Sequence, residues 1–390
     1  MLPVENSRDL AVYIHWPFCK FKCPYCDFNS HVRDHVDHAD WQAAYLQELV
    51  YYRDLIGARH VTSIFFGGGT PSLMQPQTVA AVIDQVAELW GLPQGAEITL
   101  EANPTSIETQ KLRDFKAASV NRVSLGVQSL HDADLKKLGR QHSAAEALAA
   151  VDMAASIFDR FSFDLMYARQ GQTARMWREE LAQALPRTKG HLSLYQLTIE
   201  EGTQFKTLFE RGEISIPSED VAADMYEITQ EMTEKAGLPS YEISNHARLG
   251  DESRHNLSYW RYRDYVGIGP GAHGRLTLSQ AKKYATRAHR APEIWLERVK
   301  KDGHGAHPFE EIGADKRATE MLMMGLRTVE GVSAAGFLQE TGHALFPFLA
   351  TARMQALIDG GFLTHDEKTL SATLSGRQRL NGLLNFLLNG

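Results

Sequence analysis

The sequence predicts an α/β protein: a parallel sheet with helices between its strands, ended by a small, mainly helical domain. Two patterns carry that reading. Through the first half, short apolar runs alternate with amphipathic helical stretches, the rhythm of βαβ units. From about Asp315 the rhythm turns mainly helical and then breaks into one short hairpin. A third pattern marks the working end. Polar or glycine-rich residues follow successive apolar runs, and in parallel α/β architectures ligands sit at the carboxyl ends of the strands.

Taken in order, the strand-like runs are Ala11–Phe18, Ser63–Phe66, Glu97–Asn103, Arg122–Gln128, Phe161–Met166 and His191–Ile199. The helical stretches between them are Ala39–Ile56, Gln75–Trp90, Ile107–Ala118, Ala144–Ile157 and Thr173–Leu185. Six such repeats are too few to close an eight-stranded barrel. Ser218–Ala236 reads as a helix capped by its serine, with Glu219 and Asp220 favourably placed in the first turn.

Next, Tyr241–His246, His255–Trp260 and Val266–Gly274 form an irregular, aromatic and glycine-rich segment, expected to extend the sheet and cover the barrel mouth. Ala291–Val299 reads as a helix and Lys301–His307 as a linker. The tail offers helices at Lys316–Leu326, Ser333–Glu340 and Leu349–Asp359, a hairpin at Phe362–Thr373 and a last helix at Ser375–Leu388. That order suggests a winged-helix-like module. Its basic residues are offset by acidic ones, so it lacks the footprint of a DNA reader and is expected to cover or dock a partner. The expected division is 1–237, 238–305 and 306–390.

Composition narrows the class. Of 390 residues, 43% are hydrophobic and 23% charged, ordinary for a soluble globular chain. A net charge of −7 without a basic run gives no support for nucleic-acid binding. The first residues lack the features of a signal peptide, and no apolar run approaches the roughly 20 residues that span a bilayer. All three cysteines fall in one short stretch, leaving none for a structural disulfide. A reducing cytoplasm is the expected setting.

That stretch is Cys19-Lys20-Phe21-Lys22-Cys23-Pro24-Tyr25-Cys26. A loop this tight can bring three thiolates to three irons of a 4Fe–4S cube, leaving the fourth iron open to a chelating ligand. The same cysteines with His15 or His31 read as a Cys3His zinc site. A disulfide fits less well, since three cysteines leave one over. The candidate strand ends carry Gly67–Thr70, Glu101-Ala102-Asn103-Pro104, Gln128-Ser129, Asp164 and Gly171-Gln172-Thr173.

Tyr13-Ile14-His15-Trp16-Pro17-Phe18 leads into the cysteines, and Phe65-Phe66-Gly67-Gly68-Gly69-Thr70-Pro71 follows the next helical stretch. On these motifs the chain resembles the radical S-adenosylmethionine (SAM) superfamily, in its coproporphyrinogen-oxidase-like branch, over essentially its whole length. The resemblance implies an open, partial (β/α)6 barrel and a 4Fe–4S cluster on Cys19, Cys23 and Cys26. It also places Tyr13, Tyr25, Gly68, Gly69, Thr70, Glu101, Gln128, Arg140 and Asp164 where the family contacts SAM. Glu101 suits ribose hydroxyls or the ammonium group, and the glycine turn lets backbone approach the ligand closely. The implied chemistry is reductive cleavage of SAM to a 5′-deoxyadenosyl radical. One departure stands out. After Asp164-Leu165-Met166-Tyr167 the family usually reads Gly-Leu-Pro, but here Ala168-Arg169-Gln170 changes the turn and adds a cation near the expected pocket.

Two features choose between branches. Phe28 stands where the porphyrinogen decarboxylase typically carries a further cysteine, and the segment before the first strand is shorter than that enzyme's. In addition, His255-Asn256-Leu257-Ser258-Tyr259-Trp260 resembles the His-Asn-x-x-Tyr-Trp motif of HemW-type heme chaperones, together with Gly267-Ile268-Gly269-Pro270-Gly271-Ala272-His273-Gly274. Histidine is a standard axial ligand of heme iron, and aromatic rings supply flat contact. An aromatic core corner with one hydrogen-bonded histidine is the competing reading of the same residues. The resemblance implies heme contact at His255, Asn256, Tyr259 and Trp260. Ser253 replaces a cysteine common in the family.

The expected function is a heme chaperone that hands heme to respiratory apoproteins. The alternative is an oxygen-independent coproporphyrinogen III oxidase, and a more distant one is a zinc-stabilised binding module without a redox role. Implied partners are heme, the accepting proteins and an electron donor such as a flavodoxin or ferredoxin. Peripheral membrane contact and either a monomer or a homodimer stay open.

Overall fold

The computed structural model describes residues 9–105, 108, 110–278 and 282–389. Six strands run parallel, in sequence order, in one sheet: β1 Asp9–Trp16, β2 His60–Gly68, β3 Glu97–Ala102, β4 Arg122–Gln128, β5 Arg160–Tyr167 and β6 His191–Gln196. Five helices form the connections: α1 His38–Ile56, α2 Pro76–Trp90, α3 Leu112–Ala117, α4 Ala144–Ile157 and α5 Ala174–Ala184. The half-barrel implied by the sequence is present, and the sheet stays open at both edges.

Strand alternation sorts the side chains. In β3, Ile98 and Leu100 join the core under the helices, while Glu97, Thr99 and Glu101 take the other face. In β5, Phe161, Phe163 and Leu165 enter that same core, and Asp164 faces the barrel interior. Helix starts follow local chemistry. Ser143 and Glu146 form a capping box on α4, and Ser218 caps α6 Glu219–Lys235 by accepting from Val221 N–H. The predicted helix Ile107–Ala118 is regular only over Leu112–Ala117, and Ile107 lies outside the described residues.

The sheet continues to eleven strands. β7 Asn245–Ala247 adds antiparallel to β6. Beyond β1 come β8 Tyr265–Ile268, parallel to it, then β9 His273–Thr277, β10 Lys283–Arg287 and β11 Glu310–Glu311, each antiparallel to its predecessor. Between β7 and β8 lies the short helix α7 Arg254–Trp260. The expectation that this segment covers the barrel mouth is corrected for its helix. While Pro270, just past β8, meets Asn29 at the mouth, α7 closes the amino ends of the strands. The cause is Glu97, the first residue of β3, whose buried carboxylate accepts from Arg254 N–H at 3.2 Å and His255 N–H at 3.0 Å. Arg160, which opens β5, pairs with the same carboxylate at 2.9 Å.

The helix expected to end at Val299 runs on as α8 Pro292–Asp302 and stops at Gly303, in the left-handed conformation. The tail holds a second core around Leu322, Phe337, Leu370 and Leu383. It contains α9 Ala314–Gly325, α10 Ala334–Thr341, α11 Thr351–Asp359 and a three-stranded antiparallel sheet. The predicted last helix is broken at Arg379 into Leu374–Gln378 and Leu380–Asn389. Ion pairs fasten the tail to the extended sheet. Glu320 accepts from Arg275 at 3.0 and 3.1 Å, and Glu330 from Arg261 at 2.6 and 2.9 Å. Among the described residues no helix is long and apolar enough to cross a membrane.

Candidate cofactor site at the barrel mouth

Backbone pairing shapes the cysteine loop. Phe18–Cys19 pairs in parallel with His31–Val32 at its neck, and Cys26 N–H donates to Cys23 O at 3.1 Å at its tip. Asn29 Nδ2 ties the loop to the extended sheet through Pro270 O at 2.9 Å and Arg290 O at 3.0 Å. All three cysteines line one cavity. Each sulfur has a polar neighbour: Thr70 Oγ1 donates to Cys19 at 3.3 Å, Arg140 to Cys23 at 3.6 Å, and Ser30 Oγ lies 4.0 Å from Cys26.

The cavity measures about 600 Å³ and opens at the carboxyl ends of the strands. β2 supplies Gly68, Gly69 and Thr70, β3 Glu101, β4 Gln128, β5 Asp164 and β6 Tyr195, while Tyr25 and Arg140 come from loops. The glycines are required by space. A Cβ on Gly68, where φ is +112°, would lie 2.6 Å from the His15 ring, and one on Gly69 would lie 2.7 Å from Phe18 O. Gly68 N–H donates to Glu101 at 3.3 Å. Arg140 donates at 2.6 Å both to Asn103 Oδ1 and to Gly126 O, joining the cysteine loop to the ends of β3 and β4.

Electrostatics describe what this cavity lacks. Burial, and then the Asp164 charge, push the Glu101 carboxyl up to about 8. Burial pushes Asp164 up to about 6 against the opposing hydroxyls of Ser124 and Ser193. Neither carboxylate has an ion pair among the described residues. Two desolvated carboxyls facing open space suit a ligand that carries positive charge.

Residues 13–184 match the Radical SAM superfamily, and residues 313–379 match the HemN C-terminal domain. The chain is 40% identical to radical S-adenosyl methionine domain-containing protein 1, mitochondrial, of Mus musculus, over 99% of this chain and 89% of that one. It is 36% identical to the heme chaperone HemW of Escherichia coli (strain K12), over 97% of this chain and 98% of that one. The chain belongs to the radical SAM superfamily, in the HemW family. The solved coproporphyrinogen III oxidase (HemN) from Escherichia coli superposes with a TM-score of 0.80, over 97% of this chain and 90% of that one, at 21% identity. That likeness is one of fold.

Membership in the radical SAM superfamily implies a 4Fe–4S cluster and SAM, and the residues present fit both. The three cysteines share one cavity wall, and ligating thiols must be deprotonated. Burial raises the Cys19 thiol to about 11 and the Cys26 thiol as well, so binding as thiolates would rely on the positive charge of a metal centre to displace their protons. The zinc alternative finds no fourth ligand in His15. Its Nε2 meets Asn29 O at 2.9 Å and its Nδ1 meets the Tyr13 hydroxyl at 3.1 Å. His31 is likewise turned to Asn29 Oδ1 at 3.3 Å.

Of the radical SAM contact residues named from the sequence, the structure gathers Tyr25, Gly68, Gly69, Thr70, Glu101, Gln128, Arg140 and Asp164 around the cavity. Tyr13 is the exception. It packs beneath Gly67, whose added Cβ would lie 2.9 Å from its ring, and its hydroxyl is committed to His15. Asn103, named from the sequence only as part of a strand-end run, is a wall residue, and so is Ser124, which the sequence patterns did not single out. Period-two spacing puts Asn103 on the face of Glu101. The concern about Arg169 is also corrected. Its guanidinium turns away from the cavity into a buried network with Asp134 at 3.0 Å, Glu180 at 2.6 Å and Met166 O. Ala168 takes the place of the family's glycine with φ at +57°.

The HemW-type motif lies at the other end of the barrel. His255 is 1% exposed, with Nδ1 on Ser63 Oγ at 2.9 Å and Nε2 on the Tyr259 hydroxyl at 2.6 Å. Burial lowers its pKa to about 3, so the ring is neutral. Asn256, Tyr259 and Trp260 are half-buried on the same helix, and the Arg327 guanidinium covers Trp260 at 4.6 Å. These four residues stand together but do not line the cysteine cavity. Phe28, by contrast, is 57% exposed beside the cysteine loop.

Proposed function

We propose that this chain is a heme chaperone carrying a 4Fe–4S cluster on Cys19, Cys23 and Cys26 and SAM in the adjoining cavity. The observation that carries the reading is near-complete, 36%-identical coverage of a heme chaperone, spanning 97% of this chain and 98% of that one. Phe28 in place of a further cysteine favours the same reading over porphyrinogen decarboxylation.

When bound, the cluster and SAM supply a low-potential electron and a cleavable sulfonium. The chain's own residues do the holding. Gly68 and Gly69 bring backbone close to the ligand, Glu101 and Asp164 offer charge to its cationic groups, and Gln128 and Tyr25 complete the walls. Thr70 and Arg140 orient two of the sulfurs. Heme is the cargo, and respiratory apoproteins are its recipients. Ligation of heme iron by His255 requires the ring to give up Ser63 at Nδ1 or the Tyr259 hydroxyl at Nε2. His273, exposed at the start of β9, is the accessible imidazole in the same segment.

The test uses anaerobically reconstituted protein. Heme titration is expected to give a saturable Soret band, and coproporphyrinogen III is expected to remain intact with SAM and a strong reductant. Repeated turnover to protoporphyrinogen would replace this reading with the decarboxylase. Parallel titrations of His255→Ala and His273→Ala identify the ligand by whichever substitution perturbs the band.

A further inference from the structure

The glycine-rich run Gly267–Gly274 stands close to the heme motif in the sequence, but its turn meets the cysteine loop. The turn links β8 to β9 and is held from behind. Gly269 N–H donates to the buried Glu48 carboxyl at 2.8 Å, and Gly271 N–H donates to His289 O at 2.9 Å. On its other side the turn passes the loop without a gap. A Cβ on Gly269, where φ is +106°, would lie 2.5 Å from His15 O. One on Gly271, where φ is +75°, would lie 2.5 Å from Asn29 Nδ2.

Asn29 fills the contact from the loop. Its amide nitrogen carries two hydrogens, and two carbonyls receive them, Pro270 O in the turn and Arg290 O between β10 and α8. Its Oδ1 meets His31 Nε2 at 3.3 Å, and its own carbonyl accepts from His15 Nε2 at 2.9 Å. One residue thus joins β1, the loop, the turn and the approach to α8. The next residue, Ser30, donates its N–H to Phe28 O at 2.7 Å and places its hydroxyl 4.0 Å from Cys26 Sγ. Each cysteine therefore has its own holder. Thr70 reaches Cys19 and Arg140 reaches Cys23, whereas the arm that carries Cys26 is fastened through Asn29.

We infer that Asn29 is a positioning residue for Cys26 and that the Gly269–Gly271 turn is its seat. The consequence for metal binding rests on the cluster proposed above, while the seat itself exists without a metal. Three thiolates brought into one cavity repel one another, so the loop has to be held before a metal centre arrives. Thr70 and Arg140 hold it from the barrel, and the sheet extension holds it from the other side. The glycine run therefore belongs to the cofactor end of the molecule. A carboxylate at position 29 would replace two donors with an acceptor facing two carbonyls.

The experiment uses the full chain, with Asn29→Asp and Gly271→Ala striking the contact from opposite sides. In the metal-free chain, hydrogen exchange over residues 26–33 is expected to quicken about tenfold in Asn29→Asp while β5 keeps the parent rate. In the anaerobically reconstituted chain, iron should pass to a ferrous chelator about tenfold faster from either variant. The EPR signal of the reduced cluster should shift in both. Because the two residues touch, the double variant is expected to lose iron more slowly than the product of the single effects. Gly271→Ala carries the same readings by itself if Asn29→Asp does not accumulate. Iron release at the parent rate overturns the inference. So do fully multiplied effects in the double variant, which mean separate sites, and quickened exchange in β5, which means general loosening. Unchanged exchange in metal-free Asn29→Asp removes the seat and leaves the cluster reading intact. A parent that takes up no iron or sulfide overturns the cluster reading and the positioning role together.

Discussion

Glu97 and Glu101 stand on the same face of β3, one at each end of the barrel, and their surroundings treat them oppositely. At the closed end, burial alone would raise Glu97, but Arg122 and Arg160 and the backbone N–H groups of His255 and Arg254 hold its carboxyl below the usual range. At the mouth, Glu101 has one backbone donor and Asp164 as a like-charged neighbour, and its carboxyl rises to about 8. One strand thus carries a carboxylate whose partners came with folding and another whose partner is absent from the chain. The unsatisfied end is where a cationic ligand is wanted, and the satisfied end is where the fold is locked.

The contrast can be broken most forcefully by Glu97→Gln. Removing one member of a buried ion pair is expected to cost about 3–5 kcal/mol in denaturant unfolding. Buried Arg122 loses its neighbouring carboxylate, and Arg160 keeps only Asp251 at 3.9 Å and two backbone carbonyls. Glu101→Gln is expected to fall within about 1 kcal/mol of the parent, since it breaks no ion pair. Their pH dependences should have opposite signs. The Glu97 contribution is present above the ordinary carboxylate pKa of 4.5 and is lost as acid carries the pH through its lowered folded value. The Glu101 cost is absent below 4.5 and grows as the pH rises toward 8. Equal losses in the two variants would end the comparison.

A smaller effect sharpens it. If SAM's cationic end meets Glu101, binding should expel the carboxyl proton, and affinity should strengthen between pH 6 and 8 by up to about tenfold per unit. Calorimetry in buffers of different ionisation enthalpy would register proton release in the parent and little in Glu101→Gln. Affinity flat with pH would assign Glu101 to the ribose hydroxyls instead.

The smallest effect concerns backbone strain at the mouth. Ala168 holds φ at +57°, a region that costs an L-residue about 1–2 kcal/mol, partly offset by glycine's larger loss of entropy on folding. Ala168→Gly is expected to stabilise the protein by up to about 1 kcal/mol and leave SAM affinity unchanged, because Arg169 keeps its own buried partners.

How much of this was legible follows from which interactions are local. The parallel strands, the capped helices and the cysteine loop could be read because hydrophobic period, caps and spacing sit in consecutive residues. Strand-end logic also found Glu101, Gln128 and Asp164, since a residue's height on a strand is set by its position in the chain. What escaped depends on distant partners. Nothing near His255 announces Ser63 and Glu97, so its place at the closed end was invisible. Arg169 looked like a cation for the pocket because Asp134 and Glu180, its destinations, are remote in sequence. Tyr13 faces the barrel interior at the right strand, yet Gly67 and His15 hold it below the cavity.

Arg140 carries a consequence for assembly. One nitrogen of its guanidinium rests on Cys23 Sγ at 3.6 Å, and the other holds Asn103 Oδ1 and Gly126 O at 2.6 Å each. Whatever fixes that sulfur also fixes the guanidinium, and through it the ends of β3 and β4 that wall the cavity. Occupancy at the loop and occupancy of the cavity are therefore energetically linked, and such linkage is reciprocal. A chain that sheds its metal would therefore loosen its hold on the cavity's ligand, and one that loses that ligand would loosen its hold on the metal, with the cavity residues unchanged.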